Sequence, residues 1–485
     1  MVIVDTTTEL TATLTDLEYL DQNHGLSLAL QWNFTEITYE GVLPLMMVYD
    51  GEWIKEAFVK NFPIFTNRRQ LALGRALDSG LFSLEGDHWK HTRKTLTPEF
   101  SSGKLKKMMP EIQKAMKAFV NLRTNDKEKA VNIRRKVDRL TLDVISRTAF
   151  GLESDAQTNE NSQFALNAVR IINGEGFNTN LKEQIRLAIA TVIFLIVPAW
   201  LIRKISRYAE LGILTVTNTE SLAHFENLCK SVIESRRERG GDSSNDFVQT
   251  LADNIVEAPA GHPHTLTDSL GLHWTKDGLT ENEVIGSALL FLLAGFQTTA
   301  DTLSFLFYEL ALHPDIQQKL YEEIRTLFDT DEITPEQLTQ AEYLNYCLNE
   351  ISRLYPQGFR FDRVAAEDVT IKGIFVPKGT VVVASAWVLH RDPAIWENPE
   401  DFDPDRFSPE RFTDQCSNSF FPFGIGNRKC IGSRLALVEM KMAVVSVLKS
   451  FVIERCEETP SRPLQFQATI AILPAKPIML KFGKR

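Results

Sequence analysis

A long apolar helix over residues 281–312 is the feature that most constrains the fold of this chain. Thr280 and Glu283 form the pattern of a capping box at its start, and a His-Pro pair follows its last residue. Residues 289–296 are apolar on every side, whereas the polar residues 297–299 interrupt the run too soon for a membrane span. The helix must therefore be buried, and the rest of the chain must build a large core around it.

The composition is consistent with such a core. Of the 485 residues, 44% are hydrophobic and 24% are charged, which argues against disordered, fibrous and polytopic membrane proteins. The net charge of -10 argues against a protein that coats nucleic acid. The five cysteines are scattered and odd in number, which is typical of reduced thiols rather than of a disulfide framework.

The remaining apolar patterns predict a mainly α fold with a small β region. Apolar residues three and four apart predict further helices over residues 101–122, 315–328, 334–354 and 433–451. Short β-branched segments, broken by glycine and proline, predict a small meander of strands at residues 369–371, 374–376 and 380–384. Residues 258–278 are rich in Gly, Pro, Ser and His, and this composition predicts a solvated surface loop.

The longest apolar run, residues 187–202, is a candidate for membrane contact. As a helix it reaches only about 24 Å, which is short of the roughly 30 Å hydrocarbon core of a bilayer. Basic residues flank it and could meet anionic headgroups, so we expect the run to dip into one leaflet. The alternative is that it packs wholly into the protein core.

Cys430 is the strongest candidate for chemistry. Three glycines surround it in the segment FFPFGIGNRKCIG, residues 420–432, and a helix is predicted directly afterwards. A thiol before a helix N-terminus, with Arg428 and Lys429 adjacent, is expected to have a lowered pKa and to ligate a metal as thiolate. Glycines allow backbone N–H groups to approach the sulfur. The local alternative is a glycine-rich turn with a buried structural cysteine.

The spacing Phe423-x-x-Gly426-x-Arg428-x-Cys430-x-Gly432 resembles the haem-thiolate signature of the cytochromes P-450. Other segments resemble further motifs of that family in order: Trp89 to Arg93, residues 294–298, Glu350 to Arg353, and residues 404–407. Residues from about 41 to the end are similar to animal microsomal members, in particular to broad-substrate drug oxidases and thromboxane synthase. The resemblance implies a catalytic domain over residues 41–485 and an atypical N-terminal segment over residues 1–40 that lacks the family's membrane anchor.

The resemblance implies roles for the matching residues. Cys430 would be the axial ligand of haem b iron, and the other haem contacts would be Arg428, Trp89, Arg93, Arg360, Phe423, Gly424 and Ala294. A buried ion-pair triad with a structural role would be formed by Glu350, Arg353 and Arg406; the alternative is an exposed pair on a helix surface. By position, the substrate pocket would be lined by Ser83, Phe291, Phe296, Gln357, Gly358 and Phe359, each of which could equally be ordinary core.

Thr298 would be the catalytic alcohol of the oxygen-activating motif, unless its hydroxyl only bonds back to its own helix. The sequence departs from the family at the preceding position, where Gln297 stands in place of an acid. An amide cannot donate and recover protons as a carboxylate does. Either water relays protons past Gln297 and Thr298, or hydrogen peroxide is released, or the substrate brings its own oxygen.

The resemblance implies a monooxygenase that inserts one oxygen atom of O2 into a lipophilic xenobiotic, steroid or fatty-acid-like molecule. Electrons would come from NADPH through cytochrome P-450 reductase, with cytochrome b5 as a further partner, on the cytosolic face of the endoplasmic reticulum membrane. The expected docking surface is basic and comprises Lys90, Lys94, Lys104, Lys106, Lys107 and Lys429, unless these residues form only a solvated face. The alternatives are a reductase-independent isomerase or dehydratase of a lipid endoperoxide or hydroperoxide, and a non-catalytic haem-binding protein.

Overall fold

The computed structural model describes residues 35–40, 43–70, 73, 75–124, 129–173, 197, 219–238, 246–259, 262–269, 271–467 and 472–485. Except for Val197, the predicted membrane contact at residues 187–202 lies outside this part of the chain. The same holds for most of the predicted N-terminal segment, residues 1–34.

The described residues form a mainly α fold with small sheets, which confirms the predicted class. The helices are α1 (Gly51–Lys55), α2 (Arg75–Asp78), α3 (Gly86–Leu96), α4 (Ser102–Thr124), α5 (Ile133–Phe150), α6 (Gln163–Asn173), α7 (Thr219–Glu238), α8 (Phe247–Asp253), α9 (Glu281–Leu312), α10 (Pro314–Leu327), α11 (Pro335–Gln340), α12 (Glu342–Leu354), α13 (Ala386–Leu389), α14 (Asp414–Ser419) and α15 (Ser433–Ser450). The strands are β1 (Thr35–Glu40), β2 (Leu43–Val48), β3 (Val131–Asn132), β4 (Leu266–Thr267), β5 (His273–Trp274), β6 (Arg360–Val364), β7 (Val369–Ile371), β8 (Ile374–Val376), β9 (Val381–Ser385), β10 (Phe451–Arg455) and β11 (Met479–Lys484).

Helix α9 is the centre of the fold. The predicted capping box is present, since the Glu283 N–H donates to Thr280 Oγ1 at 3.4 Å and the Thr280 N–H donates to Glu283 Oε2 at 2.9 Å. A Cβ atom at Gly286 would overlap the carbonyl oxygen of Ala76, so this glycine lets α2 approach the helix closely. Although α9 is long and apolar enough to cross a membrane, most of it is buried within the protein, as in the core helix of a globular fold.

One predicted helix, residues 334–354, is divided in the structure. Thr334 and Gln337 form a second capping box that starts α11, and the helix ends before Ala341. The Glu323 carboxylate then accepts the N–H groups of Tyr343 and Leu344 at 2.7 and 2.9 Å, which caps the start of α12. The prediction of a single helix was therefore wrong, because a carboxylate distant in sequence provides the new N-terminus.

The predicted three-stranded meander is also wrong. Strands β7 and β8 form a two-stranded hairpin, whereas β9 belongs to a separate sheet of order β1-β2-β9-β6. Every residue of β9 is buried, so this strand needs neighbours on both edges, and β2 pairs with it in parallel and β6 in antiparallel fashion. Gly379, with φ +82°, lies in the connection between β8 and β9.

The segment predicted as a solvated loop, residues 258–278, is partly docked on the core. Its strands β4 and β5 pair as a short antiparallel hairpin, and the side chain of Trp274 is buried. The third sheet, of order β10-β11-β3, lies near the carboxyl end of α15.

Candidate active site

The loop before α15 places the Cys430 thiol at the start of that helix. Its turn is closed by the Cys430 N–H, which donates to the Phe423 carbonyl at 2.9 Å. Gly424 and Gly426 have φ of +71° and +67°, and a Cβ at Gly426 would lie only 2.6 Å from the Phe58 carbonyl oxygen. The two glycines are therefore required by backbone conformation, and Gly426 also by space.

The electrostatic prediction for Cys430 is corrected by its surroundings. The residue is accessible to small molecules, yet the enclosing protein raises the pKa of its thiol because burial disfavours the charged form. The Gly432 N–H, Arg93, Arg68 and Lys429 lower that pKa without overcoming burial. The protein alone therefore favours the neutral thiol, and the expected shift towards thiolate requires a further positive charge such as a bound metal.

A cluster of guanidinium groups lies beside this loop. It consists of Arg68, Arg93, Arg363 and Arg428. Burial lowers the pKa of Arg428 to about 8, with further lowering by the other three cations, and burial likewise lowers the pKa of Arg68 to about 10 and of Arg363 to about 9. So much desolvated positive charge in one place favours an anionic partner.

Protein carboxylates offset only part of this charge. Among the described residues, Asp362 acts on Arg68 and Arg363, and Glu85 acts on Arg428. Asp362 also pairs with Arg69, whose Nε lies 3.1 Å from its Oδ2. In the part of the chain that the structure describes, the buried Nε of Arg363 has no hydrogen-bond partner. The cluster thus retains capacity for an anion.

Helix α3 contributes two of the predicted contacts to the same place. The Arg428 guanidinium lies 3.9 Å from the ring centroid of Trp89, and its Nε and Nη2 donate to the carbonyls of Thr66 and Leu84 at 3.0 and 2.8 Å. Arg93 Nη2 donates to the Lys429 carbonyl at 2.8 Å. The adjacent cleft of about 390 Å³ is lined by Phe62, Trp89, Lys90, Arg93, Lys94 and Asn427.

The predicted triad is present and fully enclosed. Arg353 donates through Nε and Nη2 to the two Glu350 oxygens, each at 2.8 Å, and Arg406 Nε donates to Glu350 Oε1 at 3.2 Å. The Glu350 and Arg353 side chains are 0% exposed. The other nitrogens of the two guanidiniums donate to backbone carbonyls, which include those of His390 and Asn398. The buried arrangement, and not the alternative of an exposed helix pair, is therefore the correct one.

His390 joins the triad to the cysteine loop. Arg353 Nη1 donates to the His390 carbonyl at 2.8 Å, and His390 Nε2 accepts the N–H of Phe421 at 3.0 Å. Burial, together with Arg353 and Arg391, lowers the pKa of His390 to about 3, so its ring is neutral and Nε2 can accept. Sequence reasoning missed His390, Arg68 and Arg363 as site residues. The run of two arginines that begins at Arg68 was the only signal in the sequence for these residues. A histidine or arginine within an apolar segment does not indicate which residue it will contact.

Two residues of α9 are exposed in the middle of an otherwise buried helix. Ala294 and Thr298 lie one turn apart on this face, and Thr298 Oγ1 donates to the Ala294 carbonyl at 2.7 Å. Phe100 connects this helix to the cysteine loop: its ring centroid lies 5.2 Å from that of Phe291, and a Cβ at Gly432 would lie 3.8 Å from it. Phe100 thus packs against both α9 and the cysteine loop.

Gln297 lies on the buried side of α9. The residue one turn later, Asp301, accepts from Arg134 Nε at 2.6 Å. Burial raises the pKa of Asp301, while Arg134 and the Gln297 side chain act in the opposite direction. The amide that replaces the family acid is therefore engaged with a buried ion pair rather than placed on the face that carries Thr298.

The six predicted substrate residues differ in their solvent exposure. Phe296 is only 2% exposed and belongs to the main apolar core. Gly358 is exposed, and partial exposure is found for Ser83, Phe291, Gln357 and Phe359. Arg360 begins β6, with its guanidinium 5.6 Å from the Phe359 ring centroid. The roles of Arg360 and of the six substrate residues at the site stay predictions.

Comparison with known proteins gives one consistent result. A family model described as Cytochrome P450 matches residues 37–482. Cytochrome P450 3A12 of Canis lupus familiaris is 35% identical over 458 residues, which cover 94% of this chain and 84% of that protein. Cytochrome P450 3A29 of Sus scrofa is 36% identical over 92% of this chain and 84% of its own length. Cytochrome P450 3A27 of Oncorhynchus mykiss is 33% identical over 92% and 82%, respectively.

Replacing Glu350 by Gln should destabilise the protein by about 3 to 5 kcal/mol, because two buried guanidiniums lose their shared carboxylate. The matched control is Asp405→Asn, which removes the exposed ion pair with Lys319 and should cost about 0 to 1 kcal/mol. Unfolding in urea, followed by circular dichroism, measures both. Equal effects of the two substitutions would contradict the structural importance of the triad.

Proposed function

This chain belongs to the cytochrome P450 family and is therefore a haem-thiolate monooxygenase, and we propose that Cys430 supplies the thiolate that binds the haem iron. Haem held in this way activates O2, from which one oxygen atom is inserted into a substrate. Cys430 is accessible, follows a turn with two glycines at positive φ, and receives the N–H of Gly432. The metal would stabilise the thiolate, which the protein alone disfavours.

The guanidinium cluster beside Cys430 is the observation that carries this proposal. Haem bears two propionate groups, and carboxylates are the natural partners of desolvated guanidiniums. Arg93 and Arg68 lie close enough to Cys430 to interact with it electrostatically, and both also interact with Arg428. We assign the propionates to this cluster together with Trp89 and Arg360, and Phe423, Gly424 and Ala294 would be further contacts of the haem.

Thr298 is the residue we assign to proton handling at the reacting atoms. Its hydroxyl lies on the exposed face of α9 and can accept a hydrogen bond from bound water while it donates to the Ala294 carbonyl. Gln297 then contributes indirectly, because its side chain stabilises the Asp301 carboxylate that Arg134 binds. Protons at Thr298 would accordingly come from water rather than from an adjacent carboxyl group.

The substrate we propose is a lipophilic small molecule such as a xenobiotic, steroid or fatty-acid-like compound. The partly exposed Phe291 and Phe359 offer apolar surface, while Ser83 and Gln357 offer hydrogen bonds. We further propose that NADPH-cytochrome P-450 reductase, and secondarily cytochrome b5, supply electrons on the cytosolic face of the endoplasmic reticulum membrane. The similarity to microsomal members supports this location.

A second candidate reaction is favoured by Gln297. An isomerase or dehydratase of a lipid endoperoxide or hydroperoxide needs neither reductase nor delivered protons, so it tolerates an amide at this position. The two reactions are distinguished by incubating the enzyme with a lipid hydroperoxide in the absence of reductase, and with a lipophilic compound in its presence. Product that forms only with reductase and NADPH supports the monooxygenase, whereas hydroperoxide turnover alone supports the second reaction.

The Cys430 assignment predicts a spectroscopic change. The reduced parent protein with carbon monoxide should show the red-shifted Soret band of thiolate ligation, and Cys430→Ala should lose it. Cys456→Ala is the matched control, because its sulfur lies beside the Met479 carbonyl in the carboxyl-terminal sheet. A band that persists in Cys430→Ala, with intact circular dichroism, would end the assignment.

The role of Thr298 predicts a loss of coupling. Thr298→Ala should decrease product formed per NADPH consumed by about tenfold, the equivalent of roughly 1.4 kcal/mol, and increase release of hydrogen peroxide. Thr302→Ala is the matched control, since its hydroxyl makes the same bond one turn back, to the Thr298 carbonyl, from a buried position. Equal coupling in the two variants would show that the Thr298 hydroxyl serves only its own helix.

The basic surface predicts how the electron donor binds. Lys90, Lys94 and Lys429 are exposed, although Lys90 pairs with Asp87 at 3.0 Å. Lys104 is less exposed and pairs with Glu99 at 3.2 Å. Reversing the charge of the three exposed lysines should raise the reductase concentration needed for half-maximal turnover by about tenfold at low salt, and less at physiological salt, where the Debye length is about 8 Å. Ligand-binding spectra should not change. An unaltered reductase requirement would place docking elsewhere.

A further inference from the structure

His88 is buried in α3, immediately before the proposed haem contact Trp89. Its side chain is 1% exposed, and its ring stacks on that of Trp274 with centroids 5.0 Å apart and an interplanar angle of 5°. Trp274 belongs to β5 of the docked hairpin. His88 therefore lies where α3, the hairpin and the start of α9 meet. The mechanism described above gives this residue no role.

Both ring nitrogens of His88 face carboxylates. Nδ1 lies 2.8 Å from Asp268 Oδ2, in the loop between β4 and β5, and Nε2 lies 2.9 Å from Glu283 Oε1, in the first turn of α9. A neutral imidazole has one N–H and can donate to only one of them. Both contacts are satisfied together when the ring is an imidazolium between two carboxylates.

Glu283 is fixed as an acceptor by its other contacts. The N–H and hydroxyl of Thr280 donate to Oε2 at 2.9 and 2.8 Å. The hydroxyl of Thr92, one turn along α3, lies 2.9 Å from Oε1 and 3.0 Å from the His88 carbonyl and can donate its proton to either. Asp268 is likewise held in its loop by the Leu272 N–H at 2.8 Å. Neither carboxylate is thus free to turn away if His88 loses its proton.

The other charged groups near His88 point to different partners. On α3, Lys90 pairs with Asp87 at 3.0 Å on the exposed face. His91 directs Nε2 to the Gly278 carbonyl at 2.9 Å, and Glu85 accepts from the Ser269 hydroxyl. On the hairpin side, Asp277 faces His264 at 3.5 Å, while Lys276 acts on Asp87. Asp268 and Glu283 are the charges that face the His88 ring directly.

We propose that His88 is a positioning residue whose proton clamps α3 to α9 and to the β4–β5 hairpin, and so holds Trp89 and Arg93 against the cysteine loop. When the proton is lost, one carboxylate faces an unprotonated ring nitrogen and the clamp opens. This inference rests on the proposed haem contacts of α3. It predicts that the enzyme retains haem less well at alkaline pH, because the contact between α3, α9 and the β4–β5 hairpin is then lost.

The direction of the pH effect follows from the surroundings. Burial lowers the pKa of His88, but hydrogen bonds and charges from Asp268 and Glu283 outweigh it, and the net pKa is raised above the ordinary histidine value of about 6.5. The clamp therefore stabilises the fold fully below that value and is lost as pH rises through the raised pKa. On the acid side, burial raises the pKa of Glu283, but His88 and Thr280 lower it more, so the contribution of Glu283 is lost only as pH falls through that lowered value.

The test compares the full-length holoenzyme with three variants between about pH 6 and pH 9.5. Hydrogen exchange measured by mass spectrometry reports protection factors for the backbone of α3, corrected for the intrinsic pH dependence of exchange. Transfer of haem to excess apomyoglobin reports haem retention. The variants are His88→Gln, Asp268→Asn and the matched control His91→Gln, which also alters a histidine that packs on Trp274.

In the parent, protection of α3 should fall by about tenfold from neutral to alkaline pH, the size expected for the loss of one hydrogen bond between charged groups, and haem transfer should accelerate in parallel. His88→Gln should show low protection with no such pH break. Asp268→Asn removes one carboxylate and should move the break to lower pH. His91→Gln should behave as the parent.

A parent whose α3 protection is independent of pH, or a His88→Gln variant that keeps the break, would overturn the clamp. A variant that simply unfolded would instead lose protection in all helices, and the shifted break of Asp268→Asn then decides the matter. If protection breaks as expected while haem transfer stays constant, the clamp stands and the proposed haem contacts of α3 are wrong.

Discussion

The buried carboxylate of Glu350 is the interaction on which the rest of the site depends. It binds two guanidiniums that come from different segments, and those guanidiniums satisfy backbone carbonyls over residues 390–401. Through His390 this network reaches Phe421 and the loop that presents Cys430. Such a network adds little net stability, since desolvation opposes attraction, but it permits one arrangement of the segments and penalises others.

The charges around Cys430 are arranged differently from those of the triad. In the triad two guanidiniums share one carboxylate, whereas the guanidiniums of Arg68, Arg93, Arg363 and Arg428 repel one another, and the thiol nearby is held neutral by burial. The repulsion costs stability in the protein alone, and an anionic, metal-containing ligand would relieve it and favour the thiolate. Haem binding and stability are therefore thermodynamically linked, because a ligand that binds only the folded state shifts the folding equilibrium towards it.

Features with a local physical cause could be predicted from the sequence. The capping box at Thr280 fixed the start of α9, and the glycine-rich turn placed Cys430 before a helix. The triad and the haem signature came from resemblance to a family. Partnerships between distant segments could not be predicted: Glu323 divides a helix, β9 joins a sheet with β2, and His88 meets Asp268 in a segment that composition indicated to be a solvated loop. Nothing in local sequence specifies the partner in such contacts.

The parallel pairing of β2 with β9 has a consequence for synthesis. Residues 45–48 can form their ladder only after residues 381–384 have left the ribosome. At about 5 to 20 residues per second, this strand waits roughly 20 to 70 s with an unpaired edge, and such edges promote aggregation. The sheet has a high contact order, so it closes late, shortly before the cysteine loop is made. A nascent chain of this enzyme is therefore expected to depend on chaperones until its last quarter is translated.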